Sequence, residues 1–234
     1  MRTLVLTAAA SALFASAMTL AITQPALVAK WGPQIASGAE HIHPESLSRL
    51  PPVDRETFDA DGQRIYDLIA KAYGGRKLSG PAAASLYSPS VAEPVHMLNE
   101  YLRKQGVLGP RFTELAILVT ARELDQQYEW SAHALAGARV GLEQPIIDLV
   151  RHKKPPVGLA EKDTLIIRFA QQLLREKKLS PALFADSVRL FGEKGTIELA
   201  TLIGDYVLAG YLLEVVDQQL PPDLQPTLPV LSAK

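Results

Sequence analysis

Apolar residues recur at the spacing of an α-helix along most of this 234-residue chain, over about residues 59–217. Glycine and proline separate the apolar stripes: Gly74-Gly75 ends one helix, and Gly109-Pro110 opens another. No stretch shows the alternation of apolar and polar residues that marks a half-buried strand. The pattern predicts an all-α fold, a single-domain bundle of seven or eight helices over residues 57–219.

Two segments precede this helical pattern. Residues 1–29 start with Met1-Arg2, continue with an uncharged run rich in Ala, Leu, Ser and Thr, and contain the small-x-small cleavage pattern Ala15-Ser16-Ala17. They predict a signal peptide and export, to the periplasm or the exterior. An uncleaved membrane anchor is the alternative, because the run is long enough to span a bilayer. Residues 30–56 are broken by glycine and proline and predict an irregular lead-in.

The lead-in and the tail carry two further features. The stretch Glu40-His41-Ile42-His43-Pro44-Glu45 has two His and two Glu that could bind a metal. A segment bounded by prolines does not fix their geometry, so we interpret it as a solvated linker and predict no metal site. Residues 220–234 hold four prolines. We expect an extended tail there, in a position to wrap a neighbouring subunit.

Composition excludes several classes of function. The chain has no cysteine, which removes disulfides, thiolate metal sites and thiol redox chemistry together. A net charge of −1 gives no electrostatic reason to expect nucleic acid or an anionic membrane as a partner. Several helices are too apolar for a small monomer, so we expect a homo-oligomer.

The stretch from Gln126 to His133 is the strongest candidate for chemistry. Glu129 and His133 lie four residues apart and therefore share one face of a helix predicted over about residues 126–140. A carboxylate beside an imidazole is a common proton-transfer arrangement, and it is equally a common helix-surface pair. One flank of this helix carries mostly Ala and Gly, which predicts that another helix approaches closely and that this helix is central.

Three other polar residues stand out by their surroundings. One helical turn after Glu114 stand the apolar residues Ile117 and Leu118, which predicts a partly buried carboxylate. The alternative is a solvated Glu in the first turn of a helix, where the helix dipole favours a negative charge. Asp205 lies in the middle of the apolar last helix and needs a partner or a proton. His96 shares a polar face with Asn99 and Glu100, which favours a solvated histidine.

Seven short stretches together resemble the carboxymuconolactone decarboxylase-like group of the alkylhydroperoxidase-D-like superfamily. The resemblance covers most of residues 50–220, and its most specific part is the Glu-Trp-x-x-His run that follows a Glu-Leu-Ala-Ile-Leu helix. The stretches are Arg49-Leu50-Pro51-Pro52, Tyr66-Asp67, Leu78-Ser79-Gly80-Pro81, Tyr101-Leu102-Arg103, Arg111-Phe112-Thr113-Glu114-Leu115-Ala116-Ile117-Leu118, Tyr128-Glu129-Trp130-Ser131-Ala132-His133 and Gly204-Asp205-Tyr206.

The resemblance implies roles for individual residues. The peroxidase branch of that superfamily uses a Cys-x-x-Cys-x-x-x-His motif with a relay Glu on the preceding helix. In this chain His133 matches the histidine, Glu129 and Gln126 stand at the two cysteine positions, and Glu114 stands at the relay position. Because both thiols are absent, dithiol peroxidase activity does not carry over. An acid/base set without a nucleophile remains.

We therefore expect a cofactor-free lyase or isomerase acting on a small organic acid or lactone. His133 would be the general acid or base, Glu129 would orient it, and Glu114 would relay a proton or anchor the ring. A non-catalytic helical binding or assembly protein that kept the fold is the alternative.

The remaining expectations concern the substrate pocket. Gln126, Trp130, Asp205 and Tyr206 are predicted to line it, and Asp205 stands where the resembling family often has a His after Gly. Arg122 or Arg139 could bind a substrate carboxylate; each is otherwise a solvated helix charge.

Overall fold

The computed structural model describes residues 41–231. The predicted signal peptide and residues 30–40 of the lead-in lie outside the described residues, as do residues 232–234. The expected all-α fold is confirmed: the described residues form eight α-helices and no β-strand. In chain order the helices are α1 (Ala60–Ala72), α2 (Gly80–Ser85), α3 (Pro89–Lys104), α4 (Pro110–Glu123), α5 (Gln127–Arg139), α6 (Gln144–Arg151), α7 (Glu161–Glu176) and α8 (Pro181–Val215).

Local sequence signals account for where the helices begin. The Asp59 side chain accepts a hydrogen bond from the Gly62 backbone N–H and caps α1. The Ser180 hydroxyl accepts one from the Leu183 N–H and caps α8. Gly109 precedes Pro110 with a φ of 78°, a left-handed conformation that glycine adopts without strain. The sequence predicts helix starts at all three places: at about Asp59, at Gly109-Pro110 and at Ser180-Pro181.

Helix α8 consists of two helical parts joined at Gly192. Gly192 has φ 71° and ψ 174°, which interrupts the helical backbone. The sequence predicts two helices with a turn bracketed by Gly192 and Gly195. The interruption is confirmed at Gly192, and the second helical part begins directly after it and includes Gly195. By length and composition α8 is also the one helix within residues 41–231 that could cross a membrane, and half of its apolar window is buried inside the protein.

Helix α4 is the centre of the bundle. All its residues from Thr113 to Arg122 are buried, and it packs against α3, α5, α6, α7 and α8. The sequence predicted α5 as the central helix, and that prediction is wrong. Apolar residues on several faces of α4 bury against five neighbours, whereas the small residues of α5 bury one face and leave Leu135 half exposed.

The predicted close approach between α5 and a neighbouring helix occurs at Gly137. A Cβ at this position would lie 3.2 Å from Leu142 Cδ2 and 3.6 Å from the Cβ of Glu114. The contact to Leu142 is tight, so that side chain would have to shift, whereas the distance to Glu114 is an ordinary van der Waals contact. Glycine at position 137 therefore leaves room for Leu142 where α5 lies against α4.

The tail packs on its own chain. Leu228 is 9% exposed and belongs to the main core cluster. The Ser131 hydroxyl donates to the Gln225 carbonyl at 2.8 Å, and the Arg122 guanidinium donates to the Pro229 carbonyl at 2.8 Å. The carbonyls of Gln225 and Pro229 thus have their partners on α5 and α4, and Leu228 fills the core of the same chain. Wrapping of a neighbouring subunit stays a prediction.

Leu228→Ala should lower the free energy of unfolding by about 2–3 kcal/mol, because it removes a buried side chain and leaves a cavity under the tail. Val230→Ala is the matched control: Val230 is 99% exposed, so its effect should stay within about 0.5 kcal/mol. Equilibrium urea unfolding measures both. Equal effects of the two substitutions would mean that the tail is not anchored through Leu228.

Candidate functional site

His133 lies between two buried carboxylates. Its Nδ1 is 2.6 Å from Oε2 of Glu114, and its Nε2 is 3.3 Å from Oε2 of Glu129. The three residues are 7%, 5% and 4% exposed, respectively. The i,i+4 pair predicted from the sequence is therefore present, and it is buried. The shorter contact is the one to Glu114 on the neighbouring helix.

The connection between α4 and α5 brings these residues together. The chain reverses direction through Leu124, Asp125 and Gln126, where Asp125 has a left-handed φ of 52°. The Gln126 side chain then accepts a hydrogen bond from the Tyr128 N–H and caps α5. A short turn of this kind makes α4 and α5 a helical hairpin. Glu114 on α4 consequently faces His133 on α5.

The two carboxylates control the protonation of His133. Burial on its own lowers the pKa of the imidazole, but the bonds to Glu114 and Glu129 outweigh it and raise the pKa of His133 to about 9. Burial on its own would raise the pKa of Glu114, but the bonded imidazolium and Arg103 hold it below its usual value. Arg103 Nη2 lies 3.4 Å from the other oxygen of Glu114. At neutral pH the imidazolium and the guanidinium thus balance the two carboxylates.

A cavity of about 290 Å³ opens beside this group, at the lower end of the range for small-molecule sites. Side chains from α1, α2, α3, α5 and α8 and from the segment joining α1 to α2 form its walls. The polar side chains among them include His133, Glu129, Arg103, His96, Asn99 and Asp205. Glu114 bonds Nδ1 of His133 and does not line the cavity. The Nε2 edge of the imidazole, which faces Glu129, is therefore the edge that faces the cavity.

Helix α8 supplies the opposite wall through Asp205 and Tyr206. The Asn99 amide donates to Oδ2 of Asp205 at 2.7 Å, which is the partner that a buried acid in an apolar helix requires. Burial raises the pKa of Asp205 above its usual value, and the charge of Glu129 adds to this effect. Burial likewise raises the pKa of Tyr206, whose ring meets the His133 ring edge-on at 5.1 Å between centroids.

Two of the four predicted pocket residues, Asp205 and Tyr206, line the cavity. The other two lie elsewhere. Trp130 is fully buried in the hydrophobic core, with the Arg151 guanidinium over its ring. Gln126 caps α5, and its amide donates to Glu214 on α8 at 2.8 Å. Its position at the start of α5 turns it away from the cavity walls.

Helix α3 contributes residues that the sequence analysis missed. His96, expected to be solvated, lies on the cavity wall with Asn99 and Arg103. The three are spaced i, i+3 and i+7 and so share one helical face, a signal that the sequence contained. Arg103 is also the arginine placed to meet a substrate. Arg122, considered for that role, is 1% exposed and bonded to backbone carbonyls.

The absence of a side chain at Gly80 allows α2 to reach the cavity. Its φ is 62°, and a Cβ there would lie 2.7 Å from the Tyr128 hydroxyl oxygen. Tyr128 in turn donates to the Ser79 hydroxyl at 3.3 Å. Glycine at this position lets the start of α2 lie directly on α5, so that Ser79 and Tyr128 both line the cavity.

No arrangement for a metal is found in the part of the chain that the structure describes. Within residues 41–231, no group of three or more His, Cys, Asp or Glu side chains is placed to hold a metal ion. Both nitrogens of His133 face carboxylates. The arrangement is suited to holding and moving a proton.

Comparison with known proteins relates this chain to others through its fold. No family model matches the sequence, and no curated protein matches it. The fold is similar to a solved structure from Ralstonia eutropha JMP134, described as an alkylhydroperoxidase AhpD core and an uncharacterized peroxidase-related protein. The TM-score is 0.61 at 16% sequence identity, and the match covers 77% of this chain and 95% of that chain. The AhpD-like fold expected from the sequence is therefore confirmed.

The stability of the protein should depend on pH through His133. Its folded pKa of about 9 exceeds the ordinary value of 6.5, so between these values only the folded state holds the proton. The free energy of unfolding should therefore be highest below about pH 6.5 and fall as the pH rises through about 9. Urea unfolding at a series of pH values measures this slope.

His133→Gln is the control for this titration. The variant should be less stable overall because two buried carboxylates lose their partner, but its stability should lose the slope between pH 6.5 and 9. In the wild type, NMR should locate the imidazole titration near pH 9. A wild-type titration near 6.5 would contradict the proposed balance of charges.

Proposed function

We propose that this protein is a cofactor-free acid/base lyase or isomerase acting on a small organic acid or lactone, as in the carboxymuconolactone decarboxylase-like group. The observation that carries the proposal is the buried Glu114–His133–Glu129 group at the wall of a cavity of about 290 Å³. Buried ionisable groups with shifted pKa values in a cavity are typical of catalytic sites.

The charges suggest a division of roles between the two carboxylates. Glu114 holds Nδ1 of His133 at 2.6 Å and so orients the ring, the role that the sequence analysis gave to Glu129. With a pKa of about 9, His133 is an imidazolium at neutral pH and can act as general acid. Glu129 lines the cavity beside Nε2 and is the candidate general base.

A decarboxylation fits these roles. The bond between the substrate carbon and its carboxylate breaks, CO₂ leaves, and the electron pair moves into a conjugated carbonyl to form an enolate. The imidazolium of His133 stabilises this charge and gives its proton to carbon. Solvent then returns a proton to His133. In an isomerisation Glu129 would instead take a proton from the carbon next to the carbonyl and return it to another carbon.

Substrate binding would rest on Arg103. Its side chain is 37% exposed and lines the cavity, and its contact to Glu114 is long at 3.4 Å. Guanidinium donors that are not committed to Glu114 can bind a substrate carboxylate or lactone carbonyl. Asp205 on α8 and Asn99, on the same face of α3 as Arg103, offer further polar contacts to the same molecule.

Thiol peroxidase chemistry is not part of this proposal, although the similar solved structure is described as peroxidase-related. That chemistry requires a thiol, and the chain has no cysteine. The alternative of a non-catalytic scaffold would favour ionisable side chains that face bulk solvent. The burial of Glu114, Glu129 and His133 supports the enzyme. Export remains part of the proposal and rests on residues 1–29.

Substitutions at the acid and the base should separate chemistry from folding. His133→Gln and Glu129→Gln should each lower turnover by about a hundredfold or more, because proton transfer at carbon loses its donor or acceptor. The assay follows CO₂ release, or deuterium entry from D₂O, over a set of unsaturated lactones and keto acids. His152→Gln, at an exposed histidine after α6, should retain full activity. Full activity in His133→Gln with an intact helical fold would contradict the mechanism.

Binding of a small carboxylate should depend on Arg103. Arg103→Met should weaken the binding of a probe such as benzoate by about tenfold or more, because a charge-assisted hydrogen bond is lost. Isothermal titration calorimetry measures this. Arg139→Met is the matched control, since Arg139 is an exposed arginine on α5. An equal loss in both variants, or none in either, would remove Arg103 from the site.

A further inference from the structure

Two acids among the described residues line the cavity, and the proposed chemistry uses Glu129 but gives Asp205 no part in proton transfer. Asp205 enters the cavity from α8, and its side chain is 5% exposed. The buried acids Glu114 and Glu129 meet the imidazole of His133. Asp205 instead meets the neutral amide of Asn99. Its surroundings therefore differ in kind from those of the other two acids.

The hydrogen bond from Asn99 determines which oxygen of Asp205 can carry a proton. The Asn99 amide donates to Oδ2 at 2.7 Å, so Oδ2 serves as an acceptor. The other oxygen, Oδ1, has no hydrogen-bond partner within residues 41–231. A proton on this carboxyl group therefore belongs on Oδ1. From there it can be donated to a molecule in the cavity that Asp205 lines.

The charges around Asp205 favour its protonated form. Burial raises the pKa of Asp205, and the negative charge of Glu129 adds to the rise. Asn99 and Arg103 act in the opposite direction without cancelling it. The other ionisable side chains on the cavity wall are Tyr73, Arg76, His96, Tyr128, His133 and Tyr206.

We propose that Asp205 is a further catalytic residue of this site, a neutral acid that donates a hydrogen bond from Oδ1 to the substrate oxygen on which the enolate charge collects. The inference rests on the proposed lyase or isomerase function. A carboxylic acid that is kept neutral can stabilise an enolate in this way. His133 on α5 gives its proton to carbon, whereas Asp205 on α8 bonds the oxygen, so the two donors serve different atoms.

Asp205 ends each cycle with the proton that it had at the start. In a decarboxylation, the electron pair of the broken carbon–carbon bond moves into the conjugated carbonyl, and its oxygen becomes negative. The Oδ1–H group of Asp205 bonds this oxygen and keeps its proton. When carbon takes the proton of His133, the carbonyl forms again and the negative charge disappears. Solvent then returns a proton to His133.

Binding of 4-nitrophenolate tests this role without turnover, because a phenolate oxygen resembles an enolate oxygen. Asp205→Asn keeps a donor, an N–H in place of the O–H, and should bind the phenolate within about threefold of the wild type. Asp205→Leu removes the donor and should weaken binding by about tenfold or more. Asp186→Leu, at an exposed aspartate near the start of α8, should bind as the wild type does. Absorbance titration measures all four proteins at a pH where the phenol is ionised.

Benzoate is the second probe, and it distinguishes a hydrogen-bond donor from a residue that only shapes the cavity. Its carboxylate should bind Arg103, so Asp205→Leu should change the affinity for benzoate by less than about threefold. Equal losses of benzoate and phenolate binding in Asp205→Leu would mean that the substitution disturbs the whole cavity. That result would overturn the proposal.

Three other results would also overturn it. The first is wild-type affinity for the phenolate in Asp205→Leu, and the second is no phenolate binding by the wild type. The third is a loss in Asp205→Asn as large as that in Asp205→Leu, because Asp205 would then act in its charged form. Failure of the proposed function would appear elsewhere, as full turnover in His133→Gln, and the phenolate series does not depend on turnover.

Discussion

The contact on which the site depends is the one between Glu114 and His133, 2.6 Å long and buried between α4 and α5. Burying a carboxylate or an imidazolium alone is costly, and each is tolerated here because it meets the other. Glu129 and Arg103 extend the contact into a set of two negative and two positive groups. The position of α4 at the centre of the bundle keeps Glu114 and the Nδ1 side of His133 away from bulk water.

The same contact determines the form in which His133 meets a substrate. A histidine with only Glu129 beside it, one turn away on the same helix, would have one partner at 3.3 Å. Adding Glu114 fixes the ring through Nδ1 and leaves the Nε2 edge toward the cavity. Because the pKa of His133 rises to about 9, the site presents a proton donor at neutral pH. The chemistry proposed for the site follows from this protonation state.

Helix α8 links the site to the outer surface. One side supplies Asp205 and Tyr206 to the cavity wall, and another fills the core. A third side, with Ile197, Tyr211 and Val215, faces outward. A helix with so few polar residues would be poorly soluble if its outer side stayed exposed. The apolar composition that led the sequence analysis to expect an oligomer is concentrated on this helix.

Local spacing in the sequence was sufficient for the helices, the helix starts near Asp59 and at Ser180, the break near Gly192, and the shared face of Glu129 and His133. These features depend on residues within a turn or two of one another. The tertiary structure alone decided which helix is central and which residues meet across helices. Asn99 bonds Asp205 across 106 positions of sequence, and Arg122 holds the tail across 107. Helical periodicity indicates which face of a helix is buried, but the partner on that face depends on how the whole bundle packs.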